Sequence, residues 1–431
     1  MTRLRGLLIA GPALAALLAL ACAAPATAAA QPAAARLPAG GQPGGLAARL
    51  GPGATAAAAT GKAPEDAALD GDSCVPLQGS SLPYACMASG FYLAVPVYPG
   101  LEEYSNGGSW TTSGVNIVNP PGPNEVEIGG EVSCAAVASE LPACLIVGVH
   151  YNYGGKDVQF AAWGGPDGFN LALGRSPRGA SWSSMNDVSC PTPSFCMVVG
   201  AAGRKKTSYA TAYSWNGRFM RELKVPAPRR SHDVELGGLS CPTAGDCVAV
   251  GNYENAAGKA LSYAAIWTDG SWKLEETPSV AGWTGSYYNA VSCPSAASCI
   301  AVGTTLHRKK TQQFAASWNG SRWRLLRMPA RRASGLSSVS CPVPGTCVAS
   351  GWSGTTGLIE RWNAGRWTGM RTVATSRPAS GDDFTHVSCV SATSCAAVGF
   401  RFNPNPKSKF GERTLAERWN GKTWTLQSSV Y

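Results

Sequence analysis

The 431-residue chain predicts an all-β fold, a seven-bladed β-propeller with four short antiparallel strands per blade. Three observations lead there. Cysteines recur as seven pairs. The first cysteines of successive pairs lie 48 to 60 residues apart, a period typical of repeat architectures that include propeller blades. Each period also ends in a hairpin-like segment, in which a tight turn separates two aromatic residues.

The pairs are Cys74/Cys86, Cys134/Cys144, Cys190/Cys196, Cys241/Cys247, Cys293/Cys299, Cys341/Cys347 and Cys389/Cys395. The last five share a C-x5-C spacing. In the fifth repeat the unit opens on Val291–Gly303, VSCPSAASCIAVG, and closes on FAASW and WNGSRW. Four strands follow, A (VSC), B (CIAVG), C (FAASW) and D (WRLL). Asn-Gly between β-rich runs is a strong hairpin signal, because Gly and Asn tolerate positive φ. A two-residue turn at Asn319-Gly320 sets Ala316 opposite Trp323, with Trp318 diagonal to it. Eleven of the fourteen tryptophans fall at such C and D positions, where large aromatics pack a core. Repeat one is the most divergent, with Tyr104 in place of a tryptophan. Repeat two carries GGPDG and Phe169. Repeat three ends on Phe219, and repeats four to seven are close copies.

Arg3 and Arg5 precede an apolar run, Leu7 to Ala21, and Ala26-Thr27-Ala28 offers a small-x-small cleavage site. Residues 1–28 therefore read as a signal peptide. No other stretch is apolar enough to span a membrane. A lipid anchor on Cys22 is the alternative, although Ala19-Leu20-Ala21 departs from a lipobox. Residues 29–69 are rich in Ala, Pro and Gly and read as a flexible linker. The propeller is expected over 70–431. Without Cys22, the fourteen remaining cysteines fit seven disulfides, one per A–B hairpin, formed in an oxidising compartment. Each bridge is expected to pin its own hairpin and not to hold blade to blade. The expected location is secreted, extracellular or associated with the cell wall. Metal binding is not expected, because only four histidines are present and none lies near a cysteine pair in sequence.

The repeats resemble those of exported actinobacterial proteins that carry tandem VSC-P-x-x-x-x-C-x-AVG segments followed by WNG-x-x-W. The likeness spans about 70–431 and implies a propeller and export. Thr268-Asp269-Gly270-Ser271-Trp272 resembles the Asp-box hairpin of sialidase-type propellers, a structural device that carries no catalytic implication.

Strand order puts A–B and C–D turns at one end of each blade, and B–C and D–A loops at the other. The second end is variable and basic, and rigid scaffolds present function on variable loops. It carries Arg204, Lys205, Lys206, Arg229, Arg230, Arg308, Lys309, Lys310, Arg331 and Arg332, within a net charge of +10. Trp182, Trp283, Tyr287, Tyr288 and Trp352 fall there too. Flat aromatics beside cations suit sugar stacking and charge pairing, against the alternatives of core caps and solvated loops. These are the candidate ligand residues of a non-catalytic scaffold for an anionic or glycan polymer of the envelope or the extracellular space. Nucleic acid is compatible electrostatically but seldom meets an exported protein. A monomer without cofactor is expected.

No G-x-S-x-G elbow, H-E-x-x-H or phosphate loop is present. Asp157, Asp233, Glu235, Glu254, Asp382 and Asp383 lie on the variable face, with nothing in the sequence to pair them across a cleft. A glycan-active hydrolase or lyase is therefore the second reading, and a protein-adhesion platform the third.

Overall fold

The computed structural model describes residues 67–429 except 78–83, 93–99, 107–108, 113–124, 138–141, 153–157, 166–167, 173–175, 205–206, 309, 332, 374–380 and 403–411. The expected signal peptide, Cys22 and nearly all of the expected linker lie outside the described residues. Among those described, 28 strands form seven four-stranded antiparallel sheets, each in the order A-B-C-D. The first strand begins at Ala67 rather than at residue 70. The A strands are Ala67–Pro76, Glu125–Ala135, Trp182–Thr192, His232–Thr243, Gly285–Ser295, Ser334–Val343 and Asp383–Ser391. Each packs on the A strands of both neighbouring blades, so together they wall the central channel.

The cysteines form the seven expected disulfides: Cys74–Cys86, Cys134–Cys144, Cys190–Cys196, Cys241–Cys247, Cys293–Cys299, Cys341–Cys347 and Cys389–Cys395. Their Cα atoms stand 4.0–4.1 Å apart, as expected for directly opposed residues of a close antiparallel pair. In the chain-entropy picture, closing so short a loop stabilises by about 2 kcal/mol.

Each bridge joins strands A and B of one blade, as expected, and its surroundings add a packing role. The second cysteines, Cys86, Cys144, Cys196, Cys247, Cys299, Cys347 and Cys395, are all buried, at 0–4% exposure. They are core residues and not members of an accessible site. Each packs toward the preceding blade. Cys144 meets Met87, Cys196 lies with Leu145 and Val147, Cys247 with Met197 and Val199, and Cys299 with Val248 and Val250. Cys347 joins Ile300 and Val302, Cys395 joins Val348 and Ile359, and Cys86 joins Val398 and Ala416 across the seam between blades seven and one. The physical reason is the strand period. Each second cysteine opens strand B, whose side chains alternate between the two neighbouring blades. The bridge links one hairpin covalently, and its sulfur fills an interface between two blades.

Residues around the cysteines explain the rest of the motif. In every blade the serine preceding the first cysteine accepts a hydrogen bond from the corresponding cysteine N–H of the next blade. Ser73 serves Cys134, Ser133 serves Cys190, Ser189 serves Cys241 and Ser240 serves Cys293. Ser292 then serves Cys341, Ser340 serves Cys389 and Ser388 serves Cys74, all at 2.9–3.0 Å. The ring is complete, and its last link crosses the seam between blades seven and one. The glycine of AVG answers a second need. Strand A bulges opposite it, for example between Tyr288 and Ala290, and a Cβ at Gly303 would run into the Tyr287 carbonyl. Gly251 and Gly399 meet Glu235 and Asp383 in the same way.

The C–D hairpins correct the expected register. Trp318 lies directly opposite Trp323, and Ala316 opposite Leu325. The loop between the two tryptophans has four residues because Asn319 does not turn the chain by positive φ. Its Oδ1 instead accepts from the Ser321 and Arg322 amides, and only Gly320 is left-handed, at φ 88°. Asn216 and Asn420 do the same. Two-residue turns occur in blades four and six, where Asp269-Gly270 and Ala364-Gly365 both have positive φ. Blade three keeps the same pairing interval, but its aromatic comes one residue early. Met220, not Phe219, faces Trp215, and Phe219 is 61% exposed. Facing tryptophans in blades four to seven stand 5.5–5.8 Å apart.

The core lies between blades. Along strand B of blade four, Cys247 and Ala249 pack toward blade three, while Val248 and Val250 pack toward blade five. This is the two-residue alternation of a strand buried on both faces. The last interface closes without strand exchange. Val398 and Ala416 of blade seven pack against Leu69, Leu101 and Trp110 of blade one. The Trp110 amide donates to the Ser428 carbonyl at 2.9 Å, and Arg418 lies over the Tyr84 ring.

Candidate ligand-binding face

The variable end of each blade is formed by the first residues of strand A and the last residues of strand B. Several B–C connections there are tighter than expected. His307 pairs with Lys310, Arg204 with Thr207 and Ser353 with Thr356, each across two residues. Arg204, Arg308 and Lys310 therefore stand at short two-residue connections.

Of the proposed ligand cations, Arg229, Arg230, Arg308 and Lys310 are exposed. Lys205, Lys206, Lys309 and Arg332 lie outside the described residues. Arg204 is exposed but engaged. It donates to the Arg178 carbonyl at 2.6 Å and lies 5.6 Å from the centre of the Tyr209 ring. Arg331 is committed elsewhere, with Nε 2.7 Å from buried Glu360. Its charge neutralises that carboxylate and is removed from the ligand inventory.

Among the aromatics, Tyr288 is a correction. It is 1% exposed and stacks on Phe314 at 4.8 Å, inside the interface between blades four and five. Alternation along strand A turns Tyr288 inward and leaves Tyr287 half-buried near the mouth. Burial pushes the Tyr287 phenol up, and the Glu254 and Glu235 charges push it the same way. Trp182, Trp283 and Trp352 are half-buried. Trp182 packs against Gly203 and Trp352 against Gly335, where added side chains would collide with the indoles. Trp283 stands edge-on to His307, 6.4 Å between ring centres.

The face is not uniformly basic. In blade four, His232 and Glu254 pair across strands, and Asp233, at φ 50°, turns its carboxylate to 3.4 Å from His232. Donor atoms of this trio lie within 4.8 Å of one another. They are the residues a cation would use, although a histidine between two carboxylates already accounts for the arrangement. Glu235 accepts from Asn252 at 3.0 Å. Asp382 is buried against Arg401 at 3.3 Å, and burial raises neighbouring Asp383 to about 6. Asp157 lies outside the described residues.

Deeper in the channel is a group the sequence reading missed. His386 Nδ1 lies 2.7 Å from Asp72, and its Nε2 lies 3.3 Å from Glu131. Asp187 accepts from the Val188 and Leu239 amides. Burial raises all three carboxyls; the His386 charge opposes this, and Asp187 is raised furthest. Burial alone would lower His386, but Glu131, Asp72 and Asp187 outweigh it and raise the imidazole to about 9. The cluster joins blades seven, one, two and three. No signal betrayed it, because the four residues are scattered over three hundred positions. The serine before every first cysteine is visible in the sequence, but its partner in the next blade is not.

No protein-family description matches the chain, and no curated protein sequence is similar to it. Solved structures match in fold. An ulvan lyase of polysaccharide lyase family PL25 aligns with a TM-score of 0.50 at 10% identity, over 85% of this chain and 97% of that one. The fucose-specific lectin of Aleuria aurantia aligns at 0.43 and 12%, over 83% and 94%. Chaetomium thermophilum Sqt1, bound to the N-terminus of ribosomal protein L10, aligns at 0.47 and 11%, over 85% and 88%. At these identities the similarity is one of fold.

Proposed function

We propose that the protein is a non-catalytic glycan-binding propeller that works outside the cytoplasm and takes an anionic or mixed polysaccharide on its variable face. The observation that carries the reading is the arrangement of that face. Half-buried Trp182, Trp283 and Trp352 stand at the blade ends, among exposed Arg229, Arg230, Arg308 and Lys310. Indole faces stack on sugar rings, and fixed cations attract acidic groups at low salt. Seven disulfides fit an oxidising compartment. The similar ulvan lyase has been seen with an acidic, sulfated disaccharide repeat, but at 10% identity the likeness is one of fold. The fold therefore does not choose between ligands; the surface has to.

The test is retention of acidic and neutral polysaccharides by the full-length protein at low and high salt. Wild type retains an acidic polymer at low salt and loses it at high salt, and a double Arg308→Ala/Lys310→Ala variant retains it about tenfold less, as expected for two ionic contacts. Absence of retention at low salt overturns the reading. A glycan-active enzyme is the second reading, supported by Tyr287 lying in the field of Glu235 and Glu254. The raised phenol makes Tyr287 a poor base at neutral pH. New chain ends released from a retained polymer, lost in Glu235→Gln, would favour that second reading.

A further inference from the structure

A cleft of about 160 Å³ opens on the variable end of blade five. Trp283 closes one side from the connection that leaves blade four. Phe314 and Leu326 form an apolar floor, and Gln312 and Gln313 of strand C line it. It is small beside the roughly 300–1,000 Å³ of pockets for drug-sized ligands, so it suits one ring and not a chain.

One of its two side-chain amides is committed and the other is available. Gln313 is 1% exposed, and its Nε2 donates to Glu360 at 3.1 Å and to the Pro329 carbonyl at 3.4 Å. Its Oε1 is enclosed, with no partner among the described residues, so Gln313 braces the wall of the cleft. Gln312 makes no side-chain hydrogen bond among the described residues. An amide offers a donor and an acceptor, and so does each sugar hydroxyl. Neither arginine, lysine nor carboxylate lines the cleft. Exposed Arg308 and Lys310 flank it on the B–C turn of the same blade, beside His307, which holds the Trp283 edge.

We propose that this cleft is the subsite for one neutral pyranose residue of the bound glycan. Its apolar face lies on Trp283 and its hydroxyls on Gln312. Charged residues of the same polymer stay outside, near Arg308 and Lys310. The proposal rests on the glycan-binding reading above and adds the class of sugar and its position.

The experiment uses ligand-observed NMR on the full-length protein with the methyl glycosides of glucose, galactose, mannose, rhamnose, fucose and glucuronic acid. At least one neutral glycoside binds, with Kd in the roughly millimolar range of a single-ring ligand, equally at low and high salt. Trp283→Ala and Gln312→Ala each weaken it about tenfold. Lys422→Ala, on the opposite face, is the control. Thermal midpoints of all variants are measured in parallel, and Gln312 is chosen over Gln313 because it supports no neighbour. If the polymer binds while no neutral glycoside does, or Trp283→Ala and Gln312→Ala leave glycoside binding unchanged, the subsite is wrong and the face reading stands. If neither polymer nor glycoside binds, both fall.

Discussion

The channel cluster makes stability depend on pH with a definite sign. His386 holds its proton more tightly in the folded protein, near pH 9, than in the unfolded chain, near 6.5. Its contribution is therefore complete below about pH 6.5 and is lost as pH rises through about 9. Asp72, Glu131 and Asp187 are raised too, so the folded protein holds their protons more tightly than the unfolded chain does, and they also lower stability as pH increases. Every group facing His386 pushes in one direction. The span from 6.5 to about 9 corresponds to up to about 3 kcal/mol. Tyr213 rises only to about 12, and Tyr263 and Tyr288 higher still, so phenols stay out of this window. Asp383, at about 6, falls below it. The assay is denaturant unfolding, without reductant and at constant ionic strength, in steps of about one pH unit from about 6 to 10. Wild type loses roughly 2–3 kcal/mol across the window, and His386→Gln removes most of that slope. A flat wild-type profile, or an equal slope in His386→Gln, refutes the reasoning.

Other perturbations test the packing. Ser240→Ala strips the Cys293 amide of its acceptor and should cost about 1–3 kcal/mol, with faster hydrogen exchange at that amide; unchanged exchange would count against the serine ring. Gly303→Ala forces strand A away from strand B at the bulge and should cost more than about 3 kcal/mol, in the range of strained backbone, read as lost soluble yield or a lower midpoint. Ala364→Gly relieves a non-glycine residue at φ 48° and should stabilise by up to about 1 kcal/mol; a lower midpoint would show that the turn needs its methyl. The double change Cys293→Ala/Cys299→Ala should cost about 2–5 kcal/mol, since it opens the hairpin loop and removes two sulfurs buried between blades four and five. Circular dichroism should still report a folded propeller, because six bridges and the serine ring remain; loss of the fold would mean that one staple governs the whole circle.

Local chemistry, repeated seven times, is legible in a chain, because each disulfide hairpin joins residues a few positions apart. Blade number, strand order and the two faces follow from counting Cys293/Cys299 and its equivalents. The same local view misplaced Trp323 and Phe219, because a side-chain cap on Asn319 or Asn216 and a true two-residue turn look alike as Asn-Gly. What only the tertiary structure decides is whatever depends on neighbours from other blades. It turns Tyr288 into the core and Tyr287 to the mouth, ties Arg331 to Glu360, and brings His386 to Asp72 across 314 positions. It also changes the meaning of the cysteine motif itself. The disulfide of VSC…C pins one hairpin, as its spacing implies, but its second sulfur packs on the preceding blade. The serine beside the first cysteine reaches into the following blade and helps close the ring. Neither role can be read along one strand, since the partners belong to neighbouring repeats and only the closed circle brings them together.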